Sequence, residues 1–114
     1  MSTDRMRRVN EAVREVLSDA IKLLKDPRVG FVTVTDVRTS PDLRHAKVFV
    51  SVLGSEEERS ATMDGLASAH GVLQTAVNRE LRMKRTPTLD FVYDDTAERA
   101  DRLERMLAEM EHES

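Results

Sequence analysis

The residues of this chain that could do chemistry are its cations. Fourteen arginines and four lysines are distributed over 114 residues. Guanidinium and ammonium groups bind phosphate oxygens through charge-assisted hydrogen bonds, and arginine also stacks on nucleic-acid bases. The cations therefore favour nucleic acid as a ligand, although a base-composition bias in the genome explains the excess of arginine equally well.

Thirteen of the eighteen cations fall into four groups along the sequence, and we place most weight on the last. Arg79 and Arg82 are three residues apart and would share a helical face, which Lys84 and Arg85 would continue into a loop. The groups are Arg5, Arg7 and Arg8; Lys22, Lys25 and Arg28; Arg38, Arg44 and Lys47; and Arg79, Arg82, Lys84 and Arg85. His70 is a further candidate, for contact with a base.

Each candidate also has a structural explanation. Arg79 and Arg82 could form an ordinary solvated helix face. Lys22 and Lys25 would stabilise the dipole of a helix that ends beside them. Arg28 could shape a turn by pairing with Asp26. His70 could be a helix-end residue, and Gly71 is most simply a kink demanded by packing.

The two parts of the chain differ in the sign of their net charge. The total is −3, but residues 1–85 carry 15 Lys and Arg against 12 Asp and Glu, whereas residues 86–114 carry 3 against 9. Such asymmetry indicates a basic working surface with an acidic segment attached.

Several function classes find no support. Cysteine is absent, which excludes disulfides and thiolate catalysis and fits a reducing compartment, so we expect the cytoplasm. No apolar run approaches the roughly 20 residues of a membrane span. The three histidines are scattered, no Gly-rich phosphate loop occurs, and Asp94-Asp95 is explained by a helix cap. We therefore expect no enzyme, cofactor, metal or small-molecule substrate.

Apolar periodicity predicts the first three elements. Spacings of three and four from Met6 to Leu24 predict a helix over residues 4–25, with Ser2, Thr3 or Asp4 as N-cap and Asp26-Pro27 as its end. Residues 31–37 and 46–52 predict a hairpin joined by Ser40-Pro41-Asp42, with a bulge near Thr35-Asp36.

The second half predicts three helices and a strand. Ser55 and Glu58 have capping-box spacing, and the following helical stretch should break near Ala69-His70-Gly71. Residues 88–93 alternate as a third strand, and Asp95 and Glu98 should cap a last helix. Its apolar stripe is Ala100, Leu103, Met106, Leu107 and Met110. We predict one α+β domain over residues 1–114, ordered α-β-β-α-α-β-α, whose residues 96–114 are an acidic helix and tail.

Five segments together resemble the bacterial ribosome-binding factor A family. They are residues 26–30, residues 42–51, Leu66, residues 69–73 and residues 86–91, the match ending at Asp94. The resemblance covers nearly the whole chain. It implies a KH fold of the second topological type, with a three-stranded mixed sheet and helices on one face. It also implies a cytoplasmic, non-catalytic role, in which the protein binds free small (30S) subunits late in maturation and assists 16S ribosomal RNA processing.

Two differences, one from KH domains in general and one from other members of the family, bear on the binding site. KH domains commonly clamp the nucleic-acid backbone with a Gly-x-x-Gly loop between their central helices. The family has an Ala-x-Gly kink instead, matched here by Ala69, His70 and Gly71. Members commonly carry Arg where this chain has Gln74, so a phosphate contact there is in doubt.

The predicted partner is therefore small-subunit ribosomal RNA within the free 30S subunit, bound by a monomer. The alternative is a protein–protein interaction module that docks through the apolar face of the C-terminal helix, with Met106 and Met110 as adaptable anchors.

Overall fold

Seven elements follow one another in the predicted order, which confirms the α+β class. The computed structural model describes residues 2–113, with side chains for residues 4–112. The elements are α1 (Ser2–Lys22), β1 (Phe31–Thr39), β2 (His45–Leu53), α2 (Glu56–Ser68), α3 (His70–Leu81), β3 (Thr88–Tyr93) and α4 (Thr96–Glu113). None of these helices is both long and apolar enough to cross a membrane.

The three strands form a mixed sheet in the order β1-β2-β3. β1 pairs with β2 in antiparallel fashion, and β2 pairs with β3 in parallel. Val34 lies opposite Val50 and Asp36 lies opposite Phe49, so Thr35 is the extra residue of a β-bulge. The predicted bulge is confirmed, and it explains why the alternation of β1 changes phase before Val37.

Helices α1, α2 and α3 cover one face of the sheet, and the core lies between the two layers. The α1 stripe contributes Val9, Val13, Leu17 and Ile21, all buried. Alternate residues of β2 point to the same layer, whereas the intervening ones face solvent. The fully buried side chains of Leu66, Leu73 and Val77 join them from α2 and α3, and those of Ala46, Val48 and Val50 join from β2.

Helix α1 is shifted from its predicted span. It begins at Ser2 and ends at Lys22 rather than Lys25. The N–H groups of Leu23 and Leu24 bond back three residues to Ala20 and Ile21, which tightens the chain before Asp26-Pro27. The caps predicted at Ser2 and Thr3 rest on side chains outside the described ones, and Asp4 is wrong as the cap because it lies within the first turn.

The α2–α3 region contains the predicted cap and break. Ser55 and Glu58 form a capping box at the start of α2, and Ala69 separates α2 from α3. The glycine required by packing is Gly65, where a Cβ would lie 2.7 Å from Val29 Cγ2. The prediction that packing demands Gly71 is wrong, because a Cβ there would meet nothing within 4 Å.

The side chain that organises the start of α4 is that of Asp94. The predicted Asp95 holds the N-cap position, because its carbonyl accepts the Arg99 N–H at 3.0 Å. Asp94 Oδ1 accepts the backbone N–H of Thr96, and its Oδ2 accepts the Thr35 hydroxyl at 2.6 Å. These hydrogen bonds, that from Thr35 first, lower the pKa of Asp94 from 3.8 to about 2. Asp95 instead pairs with Arg99.

Glu98 joins the first turn of α4 to the body of the protein. Its carboxylate accepts hydrogen bonds from the Tyr93 hydroxyl and from Arg59 of α2. The Arg59 guanidinium lies 4.7 Å from the centre of the Tyr93 ring. The hydrogen bond from Tyr93 is the main cause that lowers the pKa of Glu98 and raises that of Tyr93. The direction in which α4 leaves the body is therefore set by its first turn.

The two helical glycines give a matched test of packing. We expect Gly65→Ala to destabilise the protein by about 1–3 kcal/mol, because the side chain of Val29 must move. Gly71→Ala is the control and should stabilise by up to about 1 kcal/mol, because alanine is the better helix former. Urea unfolding measures both free energies. A Gly65→Ala protein as stable as wild type would contradict the packing argument.

The Asp94 network predicts a pH dependence. The pKa of Asp94 is lower in the folded protein than its ordinary value of 3.8. Its contribution to stability is therefore complete above pH 3.8 and is lost as the pH falls toward 2. Asp94→Asn should therefore be less stable than wild type at neutral pH, and the difference should shrink on acidification. Urea unfolding over a pH series tests this, with Asp90→Asn in the preceding strand β3 as control. A constant difference would contradict it.

Candidate nucleic-acid interface

Four cations from three distant segments line one cleft of about 710 Å³. They are Arg5, Arg44, Lys84 and Arg85. Among the described residues, Asp42, Leu43 and Met83 complete the lining. We call this site the cation cleft. It lies where the start of α1, the β1–β2 turn and the α3–β3 loop meet.

Helix α1 is fixed over the β1–β2 turn by Asn10. Its side-chain oxygen accepts the backbone N–H of Thr39 at 3.0 Å and also the Thr39 hydroxyl. Thr39 is buried at the end of β1. Arg5 lies five residues, about one and a half helical turns, before Asn10, and it lines the cleft together with Arg44 of the β1–β2 turn.

The β1–β2 turn is closed by its own polar groups. Asp42 accepts the Ser40 hydroxyl at 2.6 Å and the backbone N–H of Arg44 at 3.1 Å. These bonds, that from Ser40 first, lower the pKa of Asp42. Leu43 takes the left-handed conformation, with φ of 60°. The carbonyl of Arg44 accepts the Thr88 N–H at 2.8 Å, which joins the turn to the start of β3.

The α3–β3 loop is held by side chains of α3. Gln74 accepts the Leu89 N–H at 2.9 Å through Oε1 and donates to the Pro87 carbonyl at 2.9 Å through Nε2. Asn78 accepts hydrogen bonds from Gln74 and from the Thr86 hydroxyl. This network fixes the segment that follows Lys84 and Arg85, so it positions half of the cations in the cleft.

The positive charge of the cleft is available to a ligand. Among the residues that the structure describes, none of its four cations pairs with a carboxylate. Its one carboxylate, Asp42, is engaged within its own turn. All four cationic side chains are exposed, while Leu43 and Met83 are half-buried between them. The arrangement can therefore bind phosphates at its rim and an apolar sugar or base face at its floor.

Arg79 and Arg82 do not share a helical face. Arg82 follows the end of α3 in the left-handed conformation, with φ of 49°. Arg79 lines a different groove, with Ala20 of α1 and Leu23, which follows that helix. The positive strip predicted from Arg79 to Arg85 is therefore divided between two places, because the helix ends one residue before Arg82.

The cations at the end of α1 lie apart from the cleft lining. Arg28 binds Asp26 with both carboxylate oxygens engaged, the shortest contact being 2.6 Å. Hydrogen bonds from Arg28 lower the pKa of Asp26 to about 2. Lys22 ends α1 and Lys25 follows it, both exposed. The pairing considered for Arg28 is thus present, and it occupies that guanidinium.

His70 has a structural contact. Its Nε2 donates to the Leu89 carbonyl at 2.8 Å, and its ring meets Phe91 edge-on at 6.4 Å between centroids. The side chain is half-buried. With Gln74, it satisfies both backbone groups of Leu89 on the side of β3 that faces away from β2.

The remaining predicted cations lie elsewhere on the surface. Lys47 is on the open face of the sheet, opposite Arg38 on one side and Asp90 on the other. Arg7 lies 3.9 Å from Asp4, and Arg8 is exposed on the same helix. No three His, Cys, Asp or Glu side chains in the described part form a group that could hold a metal ion.

Comparison with known proteins agrees with the fold. The family profile described as ribosome-binding factor A matches residues 5–107. Proteins named ribosome-binding factor A from Halothermothrix orenii and Brevibacillus brevis are each 44% identical over 114 residues. The alignments cover 99% of this chain and 93% and 94% of those proteins, respectively.

Solved structures give the same result. The ribosome-binding factor A crystal structure from Thermus thermophilus has a TM-score of 0.70 at 30% identity, over 77% of this chain and 93% of that one. The solution structure of a Thermotoga maritima protein described as a putative ribosome binding factor A has a TM-score of 0.70 at 36% identity, over 77% and 85%. A profile match over most of the chain and full-length relatives at this identity lead to one conclusion: the chain belongs to the ribosome-binding factor A family.

Proposed function

We propose that this protein binds the free 30S ribosomal subunit through its ribosomal RNA. It assists late maturation of the subunit and efficient processing of 16S ribosomal RNA. It acts in the cytoplasm, as a monomer, by binding alone and without catalysis. The observation that carries the proposal is the cation cleft, in which four cations from three segments converge without a carboxylate partner among the described residues.

A structural relative supports the choice of partner. A ribosome-binding factor A homology model from Thermus thermophilus, fitted into a cryo-EM map of a 30S-RbfA complex, matches this chain with a TM-score of 0.61 at 32% identity. It covers 73% of this chain and 88% of that one. The family membership and the charge of the cleft therefore point to the same type of ligand.

The cleft suits folded RNA better than a small anion. Its cations come from separate elements, so they can contact phosphates on more than one part of a backbone. The carboxylate of Asp42 in the lining disfavours a compact, highly charged anion, while Leu43 and Met83 offer an apolar surface to a ribose or base. Of the other predicted RNA-binding residues, Arg82 adjoins the loop of the cleft. Roles for Arg79, Lys22, Lys25, Arg28, Lys47, Arg7, Arg8 and His70 stay predictions.

Charge reversal in the loop tests the proposal. Lys84→Glu combined with Arg85→Glu should weaken binding to purified free 30S subunits by at least about tenfold. It should also reduce the log–log salt slope by about 0.7–0.9 for each phosphate that the variant no longer neutralises. Sedimentation of mixtures at several salt concentrations measures both quantities.

The matched control is Arg14→Glu combined with Arg102→Glu. It changes the net charge equally at exposed positions outside the cleft lining. Equal losses of affinity for the two double variants would show that only total charge matters. A wild-type affinity independent of salt would point to protein contacts in place of phosphates and would contradict the proposal.

Gln74 should act as a positioning residue for the cleft. Gln74→Met removes the hydrogen bonds to Leu89 and Pro87 at similar side-chain volume, so we expect a stability loss of about 1–3 kcal/mol. Binding to 30S subunits should also weaken several-fold at temperatures where the variant is fully folded, because Lys84 and Arg85 lose their fixed placement. Thr75→Ala, on an adjacent exposed position, is the control. Destabilisation with unchanged affinity would leave Gln74 with a packing role alone.

A further inference from the structure

Helix α4 presents an apolar stripe to solvent. Leu103, Met106, Leu107 and Met110 are 57%, 60%, 52% and 66% exposed. Their spacing of three, one and three residues places them on one side of the helix. Single exposed apolar residues are common on protein surfaces, but a contiguous stripe of four large ones is typical of an interaction site.

The described part of the protein body does not cover this stripe. Every side chain from Arg99 to His112 is exposed, and none belongs to the core or packs against it. The contacts described between this end of the chain and the body lie at the start of α4, through Asp94 just before the helix and Glu98 in its first turn. Isolated helices of this length are marginal in water, since most helical stability in proteins comes from packing an apolar face. The exposed pairs Arg99–Asp95 and Arg105–Asp101 add only a small amount to the stability of the helix.

The charge of α4 determines which kind of partner surface can bind the stripe. Residues 96–114 contain six Asp and Glu against three Arg, and no Lys or Arg follows Arg105. The titratable side chains near the last part of the stripe are therefore glutamates and one histidine. RNA would be repelled by this helix, and so would a second α4. A protein segment with lysines or arginines beside apolar residues complements both the stripe and its charge.

The topology separates α4 from the cation cleft. The cleft adjoins the start of β3, where Thr88 bonds to Arg44, and α4 leaves from the end of β3. Six residues of strand separate these points by about 20 Å. Both surfaces can therefore be occupied at once, by different components of one assembly.

We propose that α4 docks through Leu103, Met106, Leu107 and Met110 onto a basic, apolar-bearing segment of a protein of the small ribosomal subunit. The cation cleft contacts RNA in the same complex. This inference rests on the proposed function and adds a second, protein-directed surface to it. The two methionines adapt the stripe to the shape of its partner.

A double substitution that keeps helix propensity tests the stripe. Leu107→Gln with Met110→Gln should weaken binding of the full chain to purified 30S subunits by at least about tenfold. It should leave binding to protein-free 16S ribosomal RNA and thermal stability unchanged, because the stripe is exposed in the free protein. Ala108→Gln with His112→Gln, exposed on the opposite side of α4, is the matched control and should change neither.

Cross-linking identifies the partner. A photoreactive residue at Met106 of the bound chain should cross-link to a Lys- or Arg-rich segment of a subunit protein, identified by mass spectrometry. Cross-links to ribosomal RNA or to a second copy would overturn the inference. Equal subunit affinities of the stripe variant and wild type would overturn it and leave the proposed function intact. Failure of the wild-type protein to bind subunits would overturn both.

Discussion

The parallel pairing of β2 with β3 is the constraint on which the candidate site depends. The hydrogen bond from Thr88 to the Arg44 carbonyl brings the α3–β3 loop to the β1–β2 turn, so cations distant in sequence become neighbours. The same pairing continues to Tyr93 opposite Val50, where the chain leaves the sheet toward α4. One strand of six residues thus sets the position of the cleft at its start and of the acidic helix at its end.

The outer edge of β3 shows why the site is rigid. An edge strand presents unpaired backbone groups, which proteins commonly cover. Here Gln74 and His70 satisfy the N–H and the carbonyl of Leu89 from α3. The amide of Gln74 suits this position because it both donates and accepts, whereas an arginine offers donors only. Gln74, the position at which the absence of the family's common arginine put a phosphate contact in doubt, therefore joins α3 to β3 beside the cleft.

Local signals in the sequence predicted local structure. The spacing of Ser55 and Glu58 predicted the capping box, and the broken alternation before Val37 predicted the bulge, because each depends on residues close in the chain. The cleft depends on long-range contacts, and no local pattern joins Arg5 to Lys84. The prediction of a continuous strip was wrong at Arg82 because left-handed termination at a residue other than glycine has little sequence signal. Basic residues were identified as a class from the sequence, but their grouping required the fold.

A chain of negative net charge can present a cationic site because dissolved salt screens the cation cleft from the acidic helix α4. At physiological ionic strength the Debye length is about 8 Å, well below the roughly 20 Å that β3 places between the cleft and the start of α4. RNA at the cleft therefore experiences Arg5, Arg44, Lys84 and Arg85 with little opposition from the glutamates of α4. At about 0.01 M salt the Debye length grows to about 30 Å, and the two surfaces oppose each other. Net charge and pI describe this protein poorly, because the distance between its charges decides what each surface can bind.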